Sequence, residues 1–253
     1  EMVGRERLEQ EIQLARQIQR TFLPEQMPQV KGWQVDSRWQ TARQVGGDFY
    51  DIFSIEPDLL GLVIADVSDK GMPAALYMTV ARTLLRANAK TSHSPAQVLE
   101  WVNNLLMNDS QNGMFVTVVY ALLRPSTGEL IYANAGHNRP LLYTAGTQKV
   151  NMLPKGGMAL AVMENIKFED HNLTLNPGDA LVLYTDGATE SFSPSGEAFG
   201  EDRLANAFLK AIEQNPSTLL EEIEAMLYRF REGAPPSDDI TFLSISRILG
   251  TAE

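Results

Sequence analysis

Short apolar runs, many of them alternating with polar residues, recur along most of the chain and predict β-strands. In two places the apolar period changes to three or four residues, and each of these places predicts a pair of helices. Two helix pairs inserted into a series of strands predict an α+β layered domain. The predicted strands are 33–41, 49–55, 60–67, 115–123, 129–135, 140–143, 149–153, 168–175, 180–184 and 240–245, and the predicted helices are 71–89, 95–107, 201–212 and 217–230.

A further amphipathic helix is predicted at the start of the chain, over residues 6–22, and Pro24 ends it. It either packs on the domain or forms a short coiled-coil linker to an upstream regulatory domain, and a seam containing Ala and Gln would give only a marginal dimer. We therefore separate a linker or regulatory helix (1–24) from a single domain (25–253), in which no repeat or linker is found. The seam residues are Leu8, Ile12, Ala15, Gln19 and Phe22.

The amino-acid composition excludes several kinds of site and partner. The 253 residues are 44% hydrophobic, enough for a sizeable core, and their formal net charge of −11 argues against a nucleic-acid partner. Because cysteine is absent, thiolate zinc sites and disulfides are excluded. No apolar run reaches the roughly 20 residues of a membrane span, and no signal peptide is visible, so a cytoplasmic protein is expected. The first residues, Glu1-Met2-Val3, suggest a piece of a longer chain.

Acidic motifs lie where predicted strands end and loops begin. They contain Asp48, Asp66, Asp186 and the pair Asp238-Asp239. A predicted hairpin between the second and third strands brings Asp48 next to Asp66. Any one of these carboxylates alone is better explained as a turn or capping residue. Together, at strand ends, they indicate one oxygen-ligand site for hard divalent cations, of the kind that activates water and stabilises charge on a phosphoryl group.

Seven stretches of the sequence, in order, carry a family resemblance. They are Leu14-Ala15-Arg16-Gln17-Ile18-Gln19-Arg20, Leu23-Pro24, Val45-Gly46-Gly47-Asp48-Phe49-Tyr50-Asp51, Ala65-Asp66-Val67-Ser68-Asp69-Lys70-Gly71, Ala135-Gly136-His137-Asn138, Tyr184-Thr185-Asp186-Gly187 and Ser237-Asp238-Asp239-Ile240-Thr241. From residue 14 onward the chain resembles the metal-dependent protein phosphatase 2C (PPM) family, in its bacterial SpoIIE/RsbU-like branch. The resemblance implies a four-layer α/β/β/α sandwich, in which helix pairs flank two antiparallel sheets, with two Mn²⁺ or Mg²⁺ ions at one edge.

The resemblance also implies roles for the acidic residues. Asp66 would bridge both ions, and the carbonyl of Val67 would help to hold one of them. Asp186 and Asp238 would bind the other ion, and Asp48 would reach the site directly or through water. A bridging water would then attack phosphorus in line, without a covalent phosphoenzyme.

Several neighbouring residues have alternative roles. Asp239 is a further metal-ligand candidate, although the family pattern favours Asp238. Arg43 lies where eukaryotic members of the family have a phosphate-binding arginine, but a surface arginine fits nearly as well. His137 is a candidate for substrate binding or acid catalysis, and a structural turn explains it better. Lys70 could neutralise the surplus negative charge, and Asp51 is either a supporting group or a bystander.

Within this branch the resemblance implies a phosphoserine or phosphothreonine protein phosphatase in signalling and stress response. Its substrate would be a phosphorylated anti-anti-sigma (STAS-type) protein, whose release regulates a sigma factor. An upstream sensor domain would act through the helix at 6–22 on the helix at 71–89, and a homodimer through the first helix is a further expectation. The alternatives are a catalytically silent partner-binding module and a hydrolase of small phosphate esters.

Overall fold

The computed structural model describes residues 2–109 and 113–249, and the side chains of all of these except 2–6, 8, 108 and 109. The predicted seam residue Leu8 and the last residues of the predicted domain, 250–253, therefore lie outside the description. None of the described helices is long and apolar enough to cross a membrane. The elements are α1 (Met2–Phe22), β1 (Trp33–Gln40), β2 (Phe49–Glu56), β3 (Leu59–Val67), α2 (Met72–Asn88), α3 (Pro95–Asp109), β4 (Val116–Arg124), β5 (Glu129–Ala135), β6 (Leu141–Thr144), β7 (Lys149–Met152), β8 (His171–Thr174), β9 (Ala180–Tyr184), α4 (Asp186–Thr189), α5 (Gly200–Gln214), α6 (Leu219–Phe230) and β10 (Ile240–Arg247).

The predicted helices and strands are all present, although the ends of most differ from the prediction; α1, for example, begins at Met2 rather than at residue 6. The strand predicted at 168–175 is confined to β8, because the chain just before it caps α3. There, Asp170 accepts hydrogen bonds from the Ala96 amide (2.7 Å) and the Ser94 hydroxyl (2.5 Å). The helix predicted at 217–230 begins with a 3₁₀ turn, Pro216–Thr218, before α6.

The strands form two five-stranded antiparallel sheets. One sheet has the order β1-β10-β9-β6-β7, and we call it sheet A; the other, sheet B, has the order β2-β3-β4-β5-β8. In sheet B, Phe49 at the start of β2 pairs with Ala65 near the end of β3, as the predicted hairpin requires. In sheet A, Tyr184 at the end of β9 pairs with Phe242 near the start of β10.

The alternation of buried side chains establishes the layers. In β9, Leu181 and Leu183 belong to the large apolar cluster that contains sheet B, α2 and α3. Val182 and Tyr184, which point to the opposite face, belong to a second cluster with α5 and α6. Sheet A is therefore packed between sheet B and the second helix pair. The two antiparallel sheets with their helix pairs confirm the predicted α+β fold, and the position of sheet A is the one expected in an α/β/β/α sandwich.

The first helix, α1, lies beside α2 and has one anchored end. Leu14 and Ile18 are 57% and 51% exposed, whereas Gln19 and Leu23 near the C-terminal end of the helix are buried. The described part of α1 thus joins the domain mainly through its last turn, which is also the part closest to the acidic motifs.

Candidate metal centre

Five carboxylates from both sheets meet at one edge of the sandwich, and we call them the carboxylate cluster. Asp48 directly precedes β2, and Asp66 is the second-to-last residue of β3 in sheet B. Asp186 follows β9 and begins α4, while Asp238 and Asp239 precede β10 in sheet A. The carboxylates are close enough that the charge of Asp66 helps to raise the pKa of Asp48, and the charges of Asp186, Asp238 and Asp239 help to raise that of Asp66. The structure therefore brings the sequence-predicted acids together.

Asp48 is the buried member of the cluster, only 2% exposed. Its Oδ2 accepts hydrogen bonds from the hydroxyls of Thr185 (2.6 Å), which directly follows β9 of sheet A, and of Thr241 (2.8 Å), which lies in β10 of sheet A. Burial, followed by the charges of Asp66 and Asp239, raises the pKa of Asp48 well above its usual range. The two hydroxyls thus fix a carboxylate from the sheet B side against sheet A.

Asp66 lies near the Asp48 carboxyl, which favours the charged form of Asp66 and so opposes the rise of its pKa. Burial, followed by the charge of Asp186, raises the pKa of Asp66 to about 7. Burial, followed by the charge of Glu190, likewise raises the pKa of Asp186 to about 6. Burial is the larger cause of these shifts, and the neighbouring negative charges add to it.

Two glycines let the chain bring Asp48 into this position. A Cβ on Gly46 would lie 2.1 Å from Oδ2 of Asp239, and a Cβ on Gly47 would lie 2.9 Å from the carbonyl oxygen of Val67. Asp239 itself accepts hydrogen bonds from the amides of Ala42 (2.8 Å) and Gly47 (2.9 Å). Both of its oxygens therefore hold the loop before β2, and the close approach to Val67 explains why glycine is needed there.

Gln19 of α1 holds the same loop from the other side. Its Nε2 donates to the carbonyl of Gly46 (2.5 Å), and its Oε1 accepts from the Gly46 amide (3.1 Å). The same Nε2 lies 3.9 Å from the sulfur of Met78 in α2. Gln19 is 4% exposed, so this double hydrogen bond is shielded from water. The first helix therefore contacts both α2 and the loop that carries Asp48.

Lys70 is a cation at the exposed side of the cluster. Its Nζ lies 2.6 Å from Oδ2 of Asp238 and 3.3 Å from the carbonyl oxygen of Ser237. The hydrogen bond with Asp238 raises the pKa of Lys70. Lys70 therefore neutralises part of the negative charge, as the sequence had suggested. It occupies one oxygen of a predicted metal ligand.

His137 is buried and makes two hydrogen bonds through its ring. The Thr117 hydroxyl lies 2.8 Å from Nδ1, and Nε2 lies 3.1 Å from the carbonyl oxygen of Tyr184, so the neutral form with hydrogen on Nε2 satisfies both. Burial lowers the pKa of His137 to about 4. The imidazole therefore links the turn after β5 to the end of β9, one residue before Thr185. Its predicted role in substrate binding stays a prediction.

Two other candidate residues lie near the cluster. Arg43 is exposed, and its Nη1 would lie 3.5 Å from a Cβ on Gly71, which places it beside the loop that follows Asp66. Asp51 does not enter the cluster. It is 1% exposed and pairs with Arg82 (3.1 Å) and Arg86 (2.8 Å) of α2. Its structural role is to tie β2 to α2.

The cluster suits a hard divalent cation by its chemistry. Its donors are carboxylate oxygens, and burial together with neighbouring negative charges raises the pKa of four of its acids, Asp48, Asp66, Asp186 and Asp239. Within the described residues, no three acidic or histidine side chains are gathered closely enough to hold an ion as they stand. The side chains would have to close in, and Lys70 would have to release Asp238.

Some residues of the site were not identified from the sequence. Thr185 and Thr241 lie inside the quoted motifs, but only the acids of those motifs suggested chemistry. Gln19 was noted only as a polar residue in an apolar seam. A polar residue at a seam position was the available signal, because a buried amide needs hydrogen-bond partners.

Comparison with known proteins places this fold in a class. A structure of the RsbU and RsbW domains of a Mycobacterium tuberculosis protein is 27% identical and superposes with a TM-score of 0.77, covering 89% of this chain and 62% of that one. The SiaA-PP2C domain of Pseudomonas aeruginosa, 24% identical, superposes with a TM-score of 0.82 over 96% of this chain and 98% of that one, so the fold is that of the PP2C domains. The family model for stage II sporulation protein E (SpoIIE) matches residues 56–248, and the chain belongs to this family.

Two curated relatives show how far the similarity extends. Protein IcfG of Synechocystis is 34% identical over 264 residues, which cover 94% of this chain and 41% of the relative. Phosphoserine phosphatase RsbU of Bacillus subtilis is 29% identical over 189 residues, which cover 75% of this chain and 56% of the relative. The chain thus spans about half the length of these relatives.

Proposed function

We propose that this chain is the metal-dependent phosphatase domain of a signalling protein and that it hydrolyses phosphoserine or phosphothreonine in a protein substrate. The observation that carries the proposal is the carboxylate cluster, in which acids from both sheets share more negative charge than Lys70 neutralises. The reaction of the RsbU relative, a phosphoserine phosphatase, supports the substrate class. Family membership supports the metal dependence.

The residues of the cluster would bind the metal ions. Asp66, Asp186 and Asp238 would hold Mn²⁺ or Mg²⁺, together with the Val67 carbonyl, and Asp48 would hold it directly or through water. When bound, such ions supply the positive charge that activates a water and stabilises the phosphoryl oxygens.

The surrounding residues act on those ligands. Thr185 and Thr241 keep Asp48 oriented through their hydroxyls, while Asp239 keeps the preceding loop in place through two amides. Arg43, exposed beside the Asp66 loop, is suited to hold a phosphate oxygen of the substrate.

The partner proposed for this domain is a phosphorylated STAS-type anti-anti-sigma protein. The structural relative from M. tuberculosis combines RsbU and RsbW domains in one protein, which supports a place in the same kind of partner-switching system. An upstream sensor domain would act through α1. A protein of this kind would work in the cytoplasm, where its sigma factor is.

A phosphatase assay with matched variants tests the proposal. Turnover of p-nitrophenyl phosphate and of a phosphoserine protein is measured with and without Mn²⁺, for the wild type, Asp186→Asn and Asp202→Asn. Asp202 is an exposed acid in the first turn of α5 and serves as the control. We expect metal-dependent turnover that Asp186→Asn lowers by about 10²-fold or more and Asp202→Asn leaves unchanged. Turnover without metal, or full activity of Asp186→Asn, would refute the mechanism.

A further inference from the structure

A groove opens on the Asp186 side of the carboxylate cluster and carries two cations that the mechanism does not use. It has a volume of about 380 Å³, and Arg139, Lys155, Asp186 and Glu201 contribute its charged groups. We name it the Arg139 groove. Because Asp186 belongs both to the groove and to the cluster, the groove adjoins the cluster.

The walls of the groove are fixed by close backbone packing. A Cβ on Gly156 would lie 2.3 Å from the carbonyl oxygen of Asn134, and a Cβ on Gly136, where φ is +69°, would lie 2.8 Å from the Ala159 amide nitrogen. The Gly157 amide also donates to the Asn134 carbonyl (3.0 Å). The turn after β5 and the segment after β7 therefore interlock, so the groove has its shape before any ligand binds.

The two cations lie on these walls without a neutralising partner. Arg139 is held by the carbonyls of Leu153 (2.7 Å) and Met152 (3.3 Å), which orient its guanidinium and leave its charge uncompensated. Lys155 follows two residues after Leu153 and is exposed. Among the described residues, neither cation has a carboxylate within ion-pair distance, in contrast to Lys70 on Asp238.

We propose that the Arg139 groove binds an acidic segment next to the phosphorylated residue of the protein substrate. The inference rests on the proposed phosphatase function and adds a specificity site to it. A chain with a net charge of −11 repels an acidic protein over most of its surface, so unpaired cations decide where such a protein can dock. Asp186 and Glu201 lie in the same groove, and their negative charges oppose binding. Lys155 is exposed, whereas Arg139 is already held by two backbone carbonyls, so Lys155 is the residue to test.

The test compares Lys155→Glu with Lys210→Glu. Lys210 is exposed on α5 outside the groove, so both variants change the net charge equally. The substrates are p-nitrophenyl phosphate and two phosphoserine peptides of equal length, one with Asp and Glu around the phosphoserine and one with Asn and Gln. Lys155→Glu removes an exposed charge that attracts the acidic peptide and adds one that repels it. We therefore expect kcat/KM for the acidic peptide to fall about five- to tenfold.

The neutral peptide, p-nitrophenyl phosphate and the Lys210→Glu variant show whether a loss of kcat/KM comes from the groove. We expect Lys155→Glu to change kcat/KM for the neutral peptide and for p-nitrophenyl phosphate by less than about twofold, and Lys210→Glu to leave all three substrates within that range. Equal losses on both peptides, or an equal loss with Lys210→Glu, would overturn the proposal. If the wild type hydrolyses none of the substrates with Mn²⁺, the phosphatase function fails. Fluorescence anisotropy of the labelled acidic peptide then tests the groove alone, and equal affinity for wild type and Lys155→Glu would overturn it.

Discussion

The double hydrogen bond of Gln19 gives the sharpest prediction about the site. Gln19→Leu keeps the volume of the side chain but leaves the amide and carbonyl of buried Gly46 without their partner. A buried backbone group without a hydrogen bond costs about 1–3 kcal/mol, and relaxation offsets part of the loss of two such groups, so we expect a destabilisation of about 2–3 kcal/mol. Gln17→Leu, on the exposed side of the same helix, should change stability by less than about 0.5 kcal/mol.

Urea unfolding measures this difference. With an m-value of about 2–3 kcal/mol per molar, the midpoint of Gln19→Leu should fall by roughly 1 M, and that of Gln17→Leu should stay in place. Because the Gly46 loop positions Asp48, the Mn²⁺ concentration that gives half-maximal phosphatase activity should also rise for Gln19→Leu only. Equal midpoints for the two variants would show that the contact between α1 and the loop contributes nothing to stability.

Two further predictions concern buried ionisable groups. Burial lowers the pKa of His137 to about 4, so between about pH 6.5 and 4 the unfolded chain binds a proton that the folded chain does not, and stability is lost as pH falls through this window. The free energy of unfolding of wild type minus that of His137→Gln, measured against pH, should therefore slope in this window. A flat difference would contradict the prediction. Asp51→Asn leaves Arg82 of α2, whose side chain is 12% exposed, without its carboxylate partner. The free energy of unfolding, measured by heat or urea, should fall by about 3 kcal/mol, and a loss below about 1 kcal/mol would contradict the pairing.

The sequence predicted the parts of the structure that local patterns determine. The period of the apolar residues located the strands and helices, and strand-end positions were enough to gather Asp48, Asp66 and Asp186 at one edge. The hairpin argument for Asp48 and Asp66 needed only the antiparallel pairing of neighbouring strands, which the observed register confirms. Local order along the chain thus carries most of the fold and the outline of the site.

Contacts between distant parts of the chain could not be predicted in this way. Thr185 and Thr241 bind Asp48 across the two sheets, over sequence separations of 137 and 193 residues. No periodicity reports which hydroxyl faces which carboxylate. The short β8 has a similar cause, because Asp170 caps a helix 74 residues earlier in the chain. Side-chain hydrogen bonds, rather than propensity, decided these details.

The location of the cluster also couples metal binding to the packing of the sheets. Asp48 enters from the sheet B side and is held by two hydroxyls on the sheet A side, while Asp186 follows β9 and Asp238 precedes β10, both strands of sheet A. A cation bound by these acids would therefore join the two layers, and it would bind the folded chain in preference to the unfolded one. At a Mn²⁺ concentration of 100 times Kd, this linkage adds about 2.7 kcal/mol to the stability. Thermal unfolding with increasing Mn²⁺ should show a rising Tm for the wild type and a much smaller rise for Asp66→Asn. An unchanged wild-type Tm would mean that the acids do not join the sheets through a metal.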